Sequence, residues 1–207
     1  MRFLILVFFS LAAAGCGVIR HSSGLMPKTT TAYRDVVTED DHIRLRDWRT
    51  AFVAGRDAAR KAGHGDEIAR EGALLDPDSA LAGPAIPNGM YHCRVIKLGA
   101  KGVGNLDFVS YPAFTCRVRP EGSLQRLGKL SGSQRYVGVI FPADAIRNVF
   151  LGTLAFADEA RALQYGQDQD RDVAGYIERI GPNRWRLVMP QPHFESKIDV
   201  MELVPES

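Results

Sequence analysis

Apolar residues follow three rhythms along the chain. Phe3 to Ala14 (FLILVFFSLAAA) is a continuous apolar run with only Ser10 polar, and Arg2 precedes it. Between 39 and 62, Leu45, Trp48, Phe52, Ala59 and Ala62 recur at helical spacing, with Arg44, Arg46, Arg49, Arg56 and Arg60 mostly between them. Thr38, with Asp41 three residues later, reads as a helix N-cap with an acidic first turn, and Gly63 and Gly65 as the end. The spacing predicts one amphipathic helix over 39–62 whose Trp48/Phe52 stripe covers a face or end of a sheet. A basic helix lying on a membrane is the other reading. Glu67 to Leu75 is expected to form a second, short helix.

From Gly89 onward the period changes to two. Strands are predicted over 89–98, 107–119, 123–130, 134–141, 147–156, 173–180, 184–189 and 194–203. Turn residues separate them: Gly99 to Asn105, Glu121-Gly122, Ser131-Gly132, Pro142-Ala143-Asp144 and Gly181-Pro182-Asn183. Ala157 to Arg171 is the exception, with a helical turn or two expected over Asp158 to Tyr165. Eight strands with short links and no βαβ unit predict a mainly β fold with an N-terminal helix. An antiparallel eight-stranded barrel or strongly curled meander removes exposed edges; a β-sandwich is the alternative. Tyr136 and Ile140 on one face, and Val137, Val139 and Phe141 on the other, imply a filled barrel packed outside by a helix.

The N-terminal run is too short for a permanent bilayer span. Its charged start, apolar middle and small residues Ala13, Ala14 and Gly15 mark residues 1–15 as a signal peptide. Cys16 directly after Ala-Ala-Gly resembles the bacterial lipobox, in which the peptide is cut before the cysteine and the thiol carries a diacylglycerol. The resemblance implies a lipoprotein held by acyl chains on Cys16, each buried methylene contributing ~0.8 kcal/mol. By resemblance to enterobacterial sorting signals, Gly17 rather than Asp after the cysteine implies the outer membrane, with the body facing the periplasm. Residues 16–37, rich in Ser and Thr, read as a flexible tether, and 38–207 as a single domain.

Composition sharpens this picture in two places. The formal net charge of +2, from 26 basic and 24 acidic residues, gives no reason to expect nucleic acid as partner. Three cysteines become one for lipid and two for each other. Cys93 shares a strand face with Tyr91 and Val95, and Cys116 with Phe114 and Val118, so neighbouring strands in an oxidising compartment would join them on the core side.

Motifs for chemistry are sparse. There is no GxSxG and no phosphate-cradling glycine loop, and His21, His42, His64, His92 and His193 contain no i,i+4 pair. No cofactor is implied. Asp168, Asp170 and Asp172 alternate as hard-cation ligands do, but Val173 and Arg179 stand where an EF-hand loop needs Gly and Glu. With both cysteines facing inward, His92, Arg94, Arg117 and Arg119 fall on the opposite strand faces, as an anion-binding stripe or a solvated outer surface paired with acids.

Several segments together carry a family likeness: Pro87 to Gly99 (PNGMYHCRVIKLG), Tyr111 to Arg117 (YPAFTCR), Gly132 to Arg135 (GSQR), Val149 to Thr153 (VFLGT), Glu178 to Gly181 (ERIG) and Trp185 to Val188 (WRLV). Their order resembles the bacterial family "domain of unknown function 4893", found in exported proteins, over residues 40–204. The resemblance implies export and a single domain, and it implies no reaction. The expected function is a non-enzymatic envelope lipoprotein that binds an envelope protein or small ligand. Two alternatives stand beside it: a calycin-like carrier of a small apolar ligand, and a hydrolase using acidic residues near 158–172.

Overall fold

The computed structural model describes residues 30–157 and 159–206. The signal segment, Cys16, the tether up to residue 29 and Asp158 lie outside the described residues. Three helices come first: α1 (Glu39–Arg46), α2 (Trp48–Lys61) and α3 (Gly65–Glu71). Nine strands follow: β1 (Gly89–Ala100), β2 (Phe108–Ser110), β3 (Phe114–Glu121), β4 (Leu124–Lys129), β5 (Gln134–Pro142), β6 (Arg147–Phe156), β7 (Asp172–Gly181), β8 (Arg184–Pro190) and β9 (Ser196–Pro205). Each strand from β3 to β9 pairs antiparallel with the next, and β9 returns to β1 over Tyr91↔Pro205 to Ala100↔Ser196. That pairing closes an eight-stranded antiparallel barrel, with β2 as an added strand on β1. Closure decides against the sandwich.

The alternation sorts side chains into two populations. Inward rows run Tyr91-Cys93-Val95 on β1, Phe150 and Leu154 on β6, Trp185-Leu187-Met189 on β8 and Met201-Leu203 on β9, and they fill the barrel. Outward rows are apolar only where helices cover them. Phe52 and Ala59 of α2 pack on Ile96, Leu98, Val188, Ile198 and Val200, over the β1–β9 seam. Gly55 lets the helix seat there: a Cβ at that position would lie 2.6 Å from Ile198 Cγ2 and 3.0 Å from the Leu98 carbonyl oxygen. Leu45 of α1 packs on Val139, Phe141, Val149 and Leu151, joined by Tyr33, Val36 and Val37. Those last three belong to the segment read from sequence as tether, and here they lie against the barrel.

Three local expectations are corrected. The single helix over 39–62 breaks at Asp47, although Thr38 caps it as expected, its hydroxyl accepting from the Asp41 N–H at 3.3 Å. Leu45 and Phe52 belong to separate outer clusters, and one straight helix cannot follow the barrel's curvature between them. The strand expected over 107–119 is interrupted at 111–113 by Pro112, which has no N–H for the ladder. β2 and β3 therefore pair with successive parts of β1, at 96–98 and 89–93. No helix forms in the described part of 157–171. Tyr165 turns inward instead, donating its hydroxyl to Asp41 Oδ2 at 2.5 Å and pinning the loop to the start of α1.

Cys93 and Cys116 form a disulfide between β1 and β3, their Cα atoms 5.8 Å apart, inside the barrel as the strand faces imply. Replacing both by alanine is expected to lower stability by ~3 kcal/mol, because the bridge closes 23 positions of chain. Urea denaturation of the oxidised parent against the double variant checks this; a difference below ~1 kcal/mol would show that the barrel alone restrains β1 and β3.

Candidate binding site

The antiparallel order brings one end of every barrel strand to a common mouth, where β1 ends at Ala100, β4 at Lys129 and β8 at Pro190, and where β5 and β9 begin. The inward rows change character there. Beyond Val95 on β1 comes Lys97, beyond Leu127 on β4 comes Lys129, and beyond Met201 on β9 comes Asp199. Tyr136 is the matching residue on β5. All four are buried.

Asp199 organises the floor of the mouth. Its Oδ2 accepts from the Tyr136 hydroxyl at 2.9 Å and from Lys97 Nζ at 2.8 Å, and its Oδ1 accepts from the Ser196 hydroxyl. Lys97 Nζ also lies 3.2 Å from Glu195 Oε2. Burial opposes the Lys97 charge, but Asp199 and Glu195 outweigh it and hold the ammonium above its ordinary pKa. Burial, reinforced by Asp199, raises Tyr136 well above 10. Both groups therefore keep their protons at neutral pH, so neither serves as a base or nucleophile. The cluster is a satisfied polar plug on an apolar interior.

Above that floor lies a cavity of about 420 Å³, walled by Val95, Tyr111, Phe114, Lys129, Ser133 and Glu195 among others. Lys129 is its distinctive group. Only 5% of the residue is exposed; Nζ donates to the Gln134 carbonyl at 2.8 Å and sits 3.6 Å from the Phe114 ring centroid. Burial, with Arg135 and Lys97 nearby, lowers its pKa to about 8. A second space of about 20 Å³ shares Lys97, Gln134 and Tyr136 with it and is bordered by Arg44, Asp172, His193 and Asp199; it is large enough for about one water.

None of the site residues singled out from sequence lines the larger cavity, though Asp170 and Asp172 border the smaller one. His92, Arg94, Arg117 and Arg119 occupy the outer side of β1 and β3. Arg94 is clamped by Glu71, at 2.5 Å, and Glu202, at 2.9 Å, and Arg184 holds the other oxygen of Glu202. His92 is exposed with Nδ1 3.8 Å from Glu206, Arg119 is 4.0 Å from Glu121, and Arg117 is exposed. The three aspartates diverge. Asp168 pairs with Arg171 at 3.3 Å and accepts from the Asp170 N–H. Asp170 is exposed, 3.7 Å from His193. Asp172 is buried and accepts from the Gly166 N–H; burial, despite that bond, raises it to about 6. Among the described residues no three His, Cys, Asp or Glu converge on a metal position. Of the other acids near 158–172, Glu159 pairs with Arg171.

The mouth residues escaped the sequence reading because isolated lysines in strands resemble solvated positions. Phase was the available signal: Lys97 falls in step with Tyr91, Cys93 and Val95, and Lys129 with Leu127.

Comparison with curated proteins and with solved structures finds no match to this chain. A family model described as a domain of unknown function, DUF4893, matches residues 33–203, which span the helices, the closed barrel and its mouth. The chain belongs to the DUF4893 family.

Proposed function

We propose that the protein is an exported lipoprotein, anchored through acyl chains on Cys16 at the periplasmic face of the outer membrane, whose barrel mouth is a non-enzymatic binding module for a small molecule. The observation that carries the binding reading is the cavity of about 420 Å³ at one end of an otherwise filled barrel, within the range of small-molecule sites. Phe150, Trp185 and Tyr91 occupy the barrel interior, so the ligand sits at the mouth rather than deep inside as in a calycin-like carrier. Glu159, Asp168 and Asp172 are engaged with Arg171 or Gly166, and the Tyr136 hydroxyl and Lys97 hold their protons; this favours binding over hydrolysis.

Two measurements test the reading. The neutral fluorophore 1-aminoanthracene is expected to bind with saturable enhancement, and Ser133→Trp, at the exposed rim of the cavity, to weaken it at least tenfold. Equal enhancement by both proteins would place the probe elsewhere and remove the binding site. For the anchor, Cys16→Ser is expected to abolish palmitate labelling and membrane fractionation in the producing cell; unchanged labelling would sink the lipoprotein reading.

A further inference from the structure

Lys129 stands apart from the other buried cations of the mouth. Lys97 faces two carboxylates and Arg44 faces Asp41. Among the described residues, no carboxylate lies within ion-pair distance of Lys129, whose partners are a carbonyl and the Phe114 ring. A lysine 95% buried beside a cavity, with no carboxylate partner among the described residues, can give an anion a charge-assisted hydrogen bond. The charges around it limit that anion. Lys97 is shared between Asp199 and Glu195, Arg135 adds positive potential beside Lys129, and Glu195 presents its carboxylate to the same cavity, so three cations stand against two carboxylates. A single negative charge is accommodated; a second would meet Glu195.

One side of the site is apolar, next to a polar lining of Lys97, Ser133, Gln134, Tyr136 and Glu195. Val95, Tyr111 and Phe114 form walls. Of the eight large hydrophobic residues exposed among the described residues, Val103, Leu106, Tyr111, Leu130 and Phe194 all lie on connections at the mouth end of the barrel. Elsewhere such residues are scattered singly, at Ile43, Leu81 and Val204. Apolar side chains concentrated around a cavity mark a recognition surface.

We infer that the mouth binds a monoanionic amphiphile, its carboxylate-like head on Lys129 and its apolar body against Val95, Tyr111 and Phe114. This rests on the proposal that the mouth is a binding site, and it names the ligand class. Single ammonium groups bind anions as point charges, so the head group needs no bidentate geometry. Affinity depends on the Lys129 proton. The anion binds the protonated form, so affinity is full below about pH 8 and falls as pH rises through that value. Lys97 and Tyr136 keep their protons across this range, and Arg135, Tyr111, Asp199 and Glu195 are the other charged or titratable groups around the site.

Competition against 1-aminoanthracene tests the inference with decanoate, decanol and decyl phosphate at pH 7. Decanoate is expected to displace the fluorophore more effectively than either of the others. Lys129→Met is expected to retain 1-aminoanthracene while weakening decanoate about tenfold or more, the loss of one charge-assisted contact. In the parent protein, decanoate competition should fall between pH 7 and 9.5 while decanol competition stays level; this holds the inference to account even if Lys129→Met fails to fold. Should the fluorophore bind while decanoate fails to displace it, or displace it equally in both proteins and at both pH values, the ligand class is overturned and the binding site stands. Tighter competition by decyl phosphate overturns the single-charge argument. Failure of the fluorophore itself overturns the binding site as well.

Discussion

Gly152→Ala is expected to destabilise the barrel by ~3 kcal/mol or more, at the upper end of overpacking effects. Gly138 on β5 and Gly152 on β6 face each other in register. A Cβ at Gly152 would lie 2.4 Å from the Val137 carbonyl oxygen and 2.7 Å from Gly138 Cα; at Gly138 it would lie 2.4 Å from the Leu151 carbonyl oxygen. The obstacles are backbone atoms of the partner strand, so no rotamer change relieves them. The Phe150 ring closes the remaining space, its Cζ 2.6 Å and 2.7 Å from the two Cβ positions. These glycines make the close approach that bends β5 and β6 around the barrel, with Phe150 filling the volume left inside. Gly128→Ala is the control: its nearest neighbour would be 3.9 Å away, and the expected change is below ~1 kcal/mol. Urea denaturation of the three proteins decides it, and equal midpoints for Gly152→Ala and parent would show that the strands have room to separate.

Glu178→Ala is expected to destabilise by about 3–5 kcal/mol. Glu178 and Arg186 are both fully buried on the outer side of the barrel, beneath α2 and the segment that follows α3. Glu178 bridges two arginines: Oε1 accepts from Arg147 at 2.6 Å, and Oε2 from Arg186 at 2.7 Å. Arg186 also donates to the carbonyls of Ala73, Leu74 and Asp76, and Phe52 packs under its guanidinium. Arg147 stacks on Trp48 in the same way. Removing Glu178 leaves the Arg186 charge inside without a counter-charge, while its carbonyl partners supply only dipoles. The double variant Glu178→Leu/Arg186→Met removes both charges together and is expected to recover much of the loss, since a buried pair roughly breaks even against apolar residues. If the double variant is no better than Glu178→Ala, the network acts through hydrogen bonding to the 73–76 segment rather than through charge.

Much of the body was legible because its signals are local. Every barrel strand except β3, which was merged with β2, was anticipated within two residues at each end, since alternation with period two and turn residues between runs are properties of short segments. The Trp48/Phe52 stripe and the Thr38 cap were visible for the same reason. The cysteine pairing followed from the strand faces of Cys93 and Cys116, which the register confirms by placing Tyr91 opposite Cys116 and Cys93 opposite Phe114. Pro112 was a local break left unread, while the loop at Tyr165 is a place where tertiary contact overrides local preference. Tyr165 reaches Asp41, 124 residues away, and that contact holds its loop out of a helix.

The candidate site was less legible than the fold, and the attention given to Arg94 shows why. Read locally, Arg94 belongs either to an anion-binding stripe or to an outer face paired with acids; in the structure Glu71 and Glu202 hold it from distant elements. Lys129 is the reverse case, ordinary in sequence and set apart only by the carboxylates it lacks.

By itself, then, the sequence determined the strand rhythm, the inward and outward faces, the helical cover and the cysteine pair, because these depend on neighbours within a few positions. Only the tertiary structure decided that β9 closes on β1, that Asp199 meets Lys97 and Tyr136, and that a cavity opens above them. Such features join residues between 63 and more than a hundred positions apart, where pairing is set by closure of the whole sheet and leaves no mark on either segment alone.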